Sequence, residues 1–245
     1  MTLVGDSPPA QPAPGARAGA STLPRPPKPA FQIGDPVPLA SDRHESRWAK
    51  VKTATVARAE PRPRARPVAH LSQRTPEDTT NLVPALDRAV DRGGRLWVRV
   101  RLPALPNNTT GWVPRRALGG YGIVHTRFVV DLDALQATLL RDGRPVMRVP
   151  VGVGTPAAPT PRGEFYVRNR LTSYRSPFYG PLAFGTSARS PTLTDWPAGG
   201  FVGIHGTNRP DLVPGRVSHG CIRLRNRDMR RLGSAMPVGT PITVR

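Results

Sequence analysis

The chain has 245 residues, 38% of them hydrophobic, with 31 prolines, a single cysteine and a formal net charge of +20. That length fits one large domain or two small ones, the lone cysteine rules out an internal disulfide, and no stretch has the apolar length of a membrane-crossing helix. The charge is not a tail: residues 1–40 hold 3 Lys or Arg against 2 Asp or Glu, residues 41–119 hold 16 against 7, and residues 120–245 hold 17 against 7. Spread in this way, without a dense basic helix and with few interleaved aromatics, it argues against a dedicated nucleic-acid surface. Nonspecific attraction to polyanions, anionic cell-wall polymers and membrane surfaces included, is expected, although Arg-rich codon usage would give the same composition.

Residues 1–45 form a Pro/Ala-rich stretch, as in Pro24-Arg25-Pro26-Pro27-Lys28-Pro29 and Asp35-Pro36-Val37-Pro38. Such a segment cannot bury enough apolar surface to offset its ordering entropy, so a disordered tether is expected. Residues 1 to 40 lack the basic start and continuous apolar core of a secretory signal. A start elsewhere, an unobvious export route and a signal already removed all remain open.

Over residues 46–120 the pattern changes to short β-type runs: Val51 to Ala57, Pro67 to Leu71, and Arg95 to Leu102, the last with Trp and Val residues on one face. Asn107-Asn108-Thr109-Thr110-Gly111 then reads as a turn into Trp112-Val113-Pro114. A strand of this kind, a polar turn and a Gly-Trp-Val-Pro strand resemble bacterial SH3-like modules, which implies a small β-barrel; a small β-domain of another kind fits the same residues.

From residue 121 to 245 the β signal strengthens. Thr126 to Leu132, Leu135 to Leu140 and Pro145 to Val153 read as strands, with Arg141 to Arg144 as a turn whose Asp142-Gly143 pair supplies positive φ. Leu171 to Gly200 reads as a long irregular segment carrying Tyr174, Phe178, Tyr179, Phe184 and Trp196, expected to be a lid or substrate wall. Asn226 to Leu232 reads as a short helix with Asn226 or Asp228 near its start, and Pro237 to Val244 as a final strand.

The chemistry concentrates around Cys221. It sits in Val217-Ser218-His219-Gly220-Cys221-Ile222-Arg223-Leu224, and His205 lies sixteen residues upstream in Ile204-His205-Gly206-Thr207. A thiol becomes a strong nucleophile only when something takes its proton, and two of the five histidines fall in this window. Gly220 and Gly206 beside the two reactive side chains permit a close approach of backbone to substrate. A lone cysteine is more often a small buried hydrophobe, but these neighbours point to chemistry. A zinc site is disfavoured because His219 and Cys221 are only two apart, no second cysteine exists, and Asp211 is the only evident fourth ligand. No metal or other cofactor is expected.

Three motifs stand in order: Pro159-Thr160-Pro161-Arg162-Gly163-Glu164-Phe165, then Ile204-His205-Gly206-Thr207, then Ser218-His219-Gly220-Cys221-Ile222-Arg223-Leu224. Together they resemble the catalytic domain of the YkuD-like L,D-transpeptidases, which cross-link peptidoglycan. The resemblance implies a mainly β, sandwich-like catalytic domain over 121–245, a location outside the cytoplasm in the cell wall or periplasm, and sensitivity to carbapenems. Carried over by position, it implies Cys221 as nucleophile, His205 as general base and the Gly206 carbonyl as the group that fixes the His205 tautomer. His219 and the backbone amides of Gly220 and Cys221 are implied at the substrate or oxyanion. Ser218 is expected to orient His219, and Arg223 to brace the loop, meet a substrate carboxylate or sit in a structural ion pair; Tyr174 and Tyr179 would exclude water. The implied reaction is thioester formation on Cys221 with loss of D-Ala from a stem tetrapeptide, then transfer to a second stem to give a 3→3 cross-link. Readings kept beside it are an L,D-carboxypeptidase, a cysteine endopeptidase or sortase-like enzyme, and a noncatalytic basic wall-binding protein.

Overall fold

The computed structural model of the protein describes residues 36–40, 44–172, 176–190, 192 and 200–245. Most of the expected tether lies outside the described residues, as do Tyr174 and Trp196. The rest, taken as one unit, is built almost entirely from strands.

Two sheets divide the chain between Val124 and Thr126. The first has eight strands, in the order Pro67–Leu71, Thr55–Arg58, Thr110–Pro114, Leu96–Arg101, Leu82–Val90, Ser46–Val51 and Leu118–Val124, with Val37–Pro38 added beside Leu82–Val90. Antiparallel pairing of Leu96–Arg101 with Thr110–Pro114 is the expected hairpin, and Val98 opposite Val113 and Val100 opposite Gly111 set its register. Val98 and Val100 enter the core with Ala49, Val83 and Val113, whereas Trp97 packs with Trp112 and Ala89 in a separate cluster. Placing Trp97 on the valine face is therefore corrected: side chains alternate along a strand, so neighbours in sequence cannot share a face.

The longest strand of this sheet, Leu82–Val90, is absent from the sequence reading. Its residues Leu82 to Ala85 are all buried, so no alternation betrays it, and Pro84 reads as a breaker. Asn107 and Asn108, expected only to shape a turn, do more. Asn107 Nδ2 donates to the Arg189 carbonyl at 2.8 Å and its Oδ1 accepts the Arg189 amide at 3.0 Å. Asn108 Oδ1 accepts the Glu164 amide at 2.6 Å. The turn thus ties the first sheet to the second.

The second sheet has ten strands: Arg144–Pro150, Gln136–Arg141, Thr126–Asp131, Pro241–Val244, Gly163–Leu171, Ala183–Arg189, Phe201–His205, Ile222–Arg223, Gly152–Gly154 and Gly215–Ser218, in that spatial order. Gly163–Leu171 is the hinge between its halves, since Gly163 to Tyr166 pair with Pro241–Val244 and Val167 to Leu171 pair with Ala183–Arg189. The turn between Gln136–Arg141 and Arg144–Pro150 has Asp142 at φ 49° and Gly143 at φ 75°, as the Asp-Gly pair predicts. Phe128, Leu139, Phe165, Phe184, Ile204, Ile222, Leu224, Met229, Leu232 and Ile242 fill one core.

Three expectations change here. Leu171 to Gly200 is not wholly irregular, because Ala183–Arg189 is a strand inside it and Pro177–Tyr179 a short 3-10 turn. That strand runs between two others and is buried on both faces, so its small residues show no period of two. Phe184 accordingly belongs to the core and not to a lid. The final strand is shorter than expected, Pro241–Val244. The helix Asn226–Ala235 extends past Leu232 and buries Asp228, Met229, Leu232 and Gly233, the one-face spacing of an amphipathic helix.

Candidate active site

Cys221 and His205 meet because two strand ends lie side by side. Phe201–His205 runs parallel to Ile222–Arg223, with Ile204 opposite Ile222 and His205 opposite Arg223, and the Leu224 amide donates to the His205 carbonyl at 2.9 Å. This register sets Cys221 against Gly203, whose amide donates to Cys221 Sγ at 3.4 Å. A methyl carbon built on Gly203 would lie 3.8 Å from both Cys221 Sγ and His205 Cδ2, so thiol and imidazole border the same small space.

Burial divides the two histidines. His205 is 3% exposed. Its Nδ1 lies 2.6 Å from the Gly206 carbonyl oxygen, which can only accept, so Nδ1 carries the proton and Nε2 keeps a free lone pair. The edge of the Tyr179 ring packs on the imidazole, centroids 4.9 Å apart. His219 instead stands exposed at the rim of the same cleft.

Electrostatics keep the resting pair neutral. Burial pushes His205 down to about 4, outweighing the Gly206 carbonyl, which favours the charged ring. Burial also pushes the Cys221 thiol up, against the pull of the Gly203 amide and of the Arg223 charge. A thiol that holds its proton next to an imidazole with a free lone pair is arranged for proton transfer during attack, not for a standing thiolate.

The loop before Cys221 is fixed by small polar side chains. Gly220 has φ 110°, a region closed to most side chains. Its carbonyl accepts from Thr160 Oγ1 at 2.8 Å, and Thr160 Oγ1 in turn accepts the Gly154 amide at 2.9 Å. Ser218 Oγ donates to the Cys221 carbonyl at 2.6 Å and accepts the Gly220 amide at 3.1 Å. Through these bonds Ser218 braces the Cys221 turn, and its Oγ engages the Gly220 amide that was expected to face an oxyanion. The sequence motif assigns Thr160 no role; its place between Pro159 and Pro161 is the one local signal.

A second brace holds the His205 turn. Asn226 Oδ1 accepts the Thr207 amide at 2.9 Å, so the first residue of the helix Asn226–Ala235 spends its side chain on the loop that carries Gly206. Arg223 lines the cleft with its Nε buried and without a hydrogen-bond partner, and no carboxylate among the described residues pairs with it.

The cleft itself encloses about 380 Å3 between Tyr179, Phe178, Phe201, Val202, His205 and Cys221, with Arg223 and His219 also in its lining. Tyr179 thus lines this cleft. A second cleft of about 440 Å3 lies in the first sheet, where Arg58, Arg95, Arg115 and Arg116 surround Trp97; its lining holds no cysteine, histidine or carboxylate. Among the described residues no cluster of His, Cys, Asp and Glu could hold a metal ion, and no helix is long and apolar enough to cross a membrane.

Residues 125–244 match the YkuD family model, described as an L,D-transpeptidase catalytic domain. A Bacillus licheniformis protein provisionally named L,D-transpeptidase YkuD is 36% identical over 118 residues, covering 48% of this chain and 64% of its own. Its Bacillus subtilis counterpart is 36% identical over 115 residues, covering 47% and 63%. The chain thus spans just under two thirds of the length of these curated relatives. Among solved structures, the catalytic domain of an E. faecium L,D-transpeptidase is 28% identical, covers 49% of this chain and 96% of its own, and superposes with a TM-score of 0.38. Residues 125–244, about half of the chain, thus carry a match to the YkuD family of L,D-transpeptidase catalytic domains.

Proposed function

We propose that the protein is a peptidoglycan L,D-transpeptidase acting outside the cytoplasm, with Cys221 as nucleophile and His205 as general base. The observation that carries this is the His205 ring held by the Gly206 carbonyl at 2.6 Å while Cys221 Sγ borders the same cleft. His205 Nε2 takes the thiol proton as Sγ attacks the carbonyl of the third, L-centred residue of a stem tetrapeptide. The proton then passes to the departing amine, D-Ala leaves, and a thioester remains. The side-chain amine of a second stem attacks the thioester, returns its proton through His205 and forms the 3→3 cross-link. The Cys221 amide and exposed His219 serve the oxyanion, and Arg223, cationic with an unpartnered Nε, suits a stem carboxylate. Tyr179, edge-on to His205, screens the thioester from water, which would otherwise divert the reaction to L,D-carboxypeptidase hydrolysis. Anionic cell-wall polymers suit the arginine-lined cleft of the first sheet, which we read as part of an SH3-like module.

Incubation with a muropeptide tetrapeptide or a carbapenem should give a covalent adduct by intact mass, with D-Ala released from the peptide. In Cys221→Ala the adduct should vanish entirely. A wild-type protein that forms no adduct and releases no D-Ala would defeat the transpeptidase reading.

A further inference from the structure

Glu77 belongs to the first sheet's half of the chain, between strands Pro67–Leu71 and Leu82–Val90, yet its described carboxylate contacts reach into the second sheet. Oε1 accepts from Arg168 Nη2 at 2.6 Å, and Oε2 accepts from Asn169 Nδ2 at 3.1 Å. The pair is buried, with side chains 1% exposed at Arg168 and 10% at Glu77. The same Asn169 amide group also reaches Thr79 Oγ1 at 3.0 Å and Thr75 Oγ1 at 3.4 Å.

Arg168 and Asn169 are neighbours on one strand and would ordinarily face opposite ways. Here the register slips between Val167, opposite Thr186, and Asn169, opposite Gly185, so Arg168 is an extra residue in the pairing. A bulge of this kind re-aims side chains, and it lets one carboxylate grip both residues.

Each grip continues toward Cys221. The Arg168 guanidinium lies 3.6 Å from the centroid of the Phe201 ring, and Phe201 is a wall of the catalytic cleft. Asn169 Oδ1 accepts the Gly185 amide at 3.1 Å; Gly185 pairs with Gly203, whose amide meets Cys221 Sγ. One side chain lying outside the family-matched residues 125–244 therefore fixes both a wall of the cleft and the strand that presents the thiol partner.

We infer that Glu77 is a positioning residue for Cys221, so that the first sheet is a working part of the active site and not only an appended module. The inference rests on Cys221 being the reactive group of the proposed function. It goes beyond that function by making reactivity depend on residues that the family-matched segment does not contain. A purely stabilising ion pair is the competing account, since buried pairs of this kind often contribute no more than an apolar contact would.

The chain's only cysteine gives a direct readout. Alkylation of Cys221 by iodoacetamide, followed by intact mass from pH 6 to 10 on the full chain, reports on the thiol whether or not the transpeptidase reading holds. Besides Cys221, Tyr179, His205, His219 and Arg223 are the titratable or charged side chains lining its cleft among the described residues. Glu77→Gln keeps an acceptor for Arg168 but turns an NH2 group against the Asn169 donor. With the fold verified by circular dichroism and a cooperative melt, its alkylation midpoint should rise by about half to one pH unit as the Gly203 amide drifts from Sγ, slowing the reaction at pH 8 by roughly 3- to 10-fold. Glu77→Asp, which keeps the charge and shortens the reach, should fall between the two and carries the same readout if Glu77→Gln does not fold. Carbapenem acylation in a double-mutant cycle with Phe201→Leu should show the two substitutions to be non-additive. A folded Glu77 variant with a lower melting temperature and a wild-type alkylation profile would overturn the inference. Absence of any carbapenem adduct in the wild type would defeat the proposed function while leaving the alkylation result standing.

Discussion

His205→Gln is expected to slow acylation of Cys221 by about 10²- to 10⁴-fold, the usual worth of a positioned general base. Glutamine can still donate to the Gly206 carbonyl, so the turn survives while the proton acceptor is lost. The wild-type rate should also persist unusually far into acid. With His205 held down to about 4, the base stays unprotonated through the range where an ordinary imidazole titrates, so the acid limb of the acylation profile should fall near pH 4 and not near 6.5. A limb at 6.5, or a His205→Gln rate within a few-fold of wild type, would remove His205 from the role of base.

The same burial makes a stability prediction with a definite sign. In the unfolded chain the imidazole binds a proton below about 6.5, whereas in the folded protein it does so only below about 4. A depressed folded value means that this stability is fully present above 6.5 and is lost progressively as pH falls toward 4, because only the unfolded state takes up the proton in that window. At about 1.4 kcal/mol per pH unit the loss is about 3 kcal/mol. Denaturant melts between pH 7 and 4 should therefore fall less steeply in His205→Gln than in wild type, by about that amount. Equal slopes would mean that the ring is hydrated in solution.

Much of this site was legible in the sequence because its chemistry is local. Cys221, Gly220, His219 and Ser218 are contiguous, and His205 with Gly206 is a second short word. The proposed nucleophile, base and orienting carbonyl could be named from the family resemblance of these short motifs without knowing how the strands pair. What escaped reading depends on contacts between distant segments. Thr160 meets Gly220 across 60 residues, and Asn226 meets Thr207 across 19. Glu77 reaches Arg168 across 91, and nothing in the residues around Glu77 signals its partner. Ser218, next to His219 in sequence, directs its hydroxyl proton to the Cys221 carbonyl. In the fold, strands with one wet face were visible through alternation. Ala183–Arg189 and the first half of Leu82–Val90 were not, because burial on both faces erases the period of two.

Gly206→Ala is expected to destabilise the protein by about 1–3 kcal/mol and to slow acylation at least about 10²-fold. A methyl carbon on Gly206 would lie 2.2 Å from Asn226 Oδ1, 2.9 Å from Pro181 Cδ and 3.0 Å from the Gly180 Cα. The Asn226 amide could rotate away, but Oδ1 would then release the buried Thr207 amide, a loss of about 1–3 kcal/mol. The Gly180 backbone and the proline ring have no comparable freedom, so the turn itself must shift and carry the Gly206 carbonyl off His205 Nδ1. Once that hydrogen bond loosens, the imidazole can rotate and exchange tautomers, and its lone pair no longer faces Cys221. Removing the obstructing amide in Gly206→Ala/Asn226→Ala should not restore the rate, because two contacts remain and the Thr207 amide still lacks its acceptor. Intact-mass acylation time courses with parallel denaturant melts would check this. Recovery in the double variant would locate the whole effect in Asn226, and a wild-type rate in Gly206→Ala alone would show that the carbonyl's position is not what sets the base.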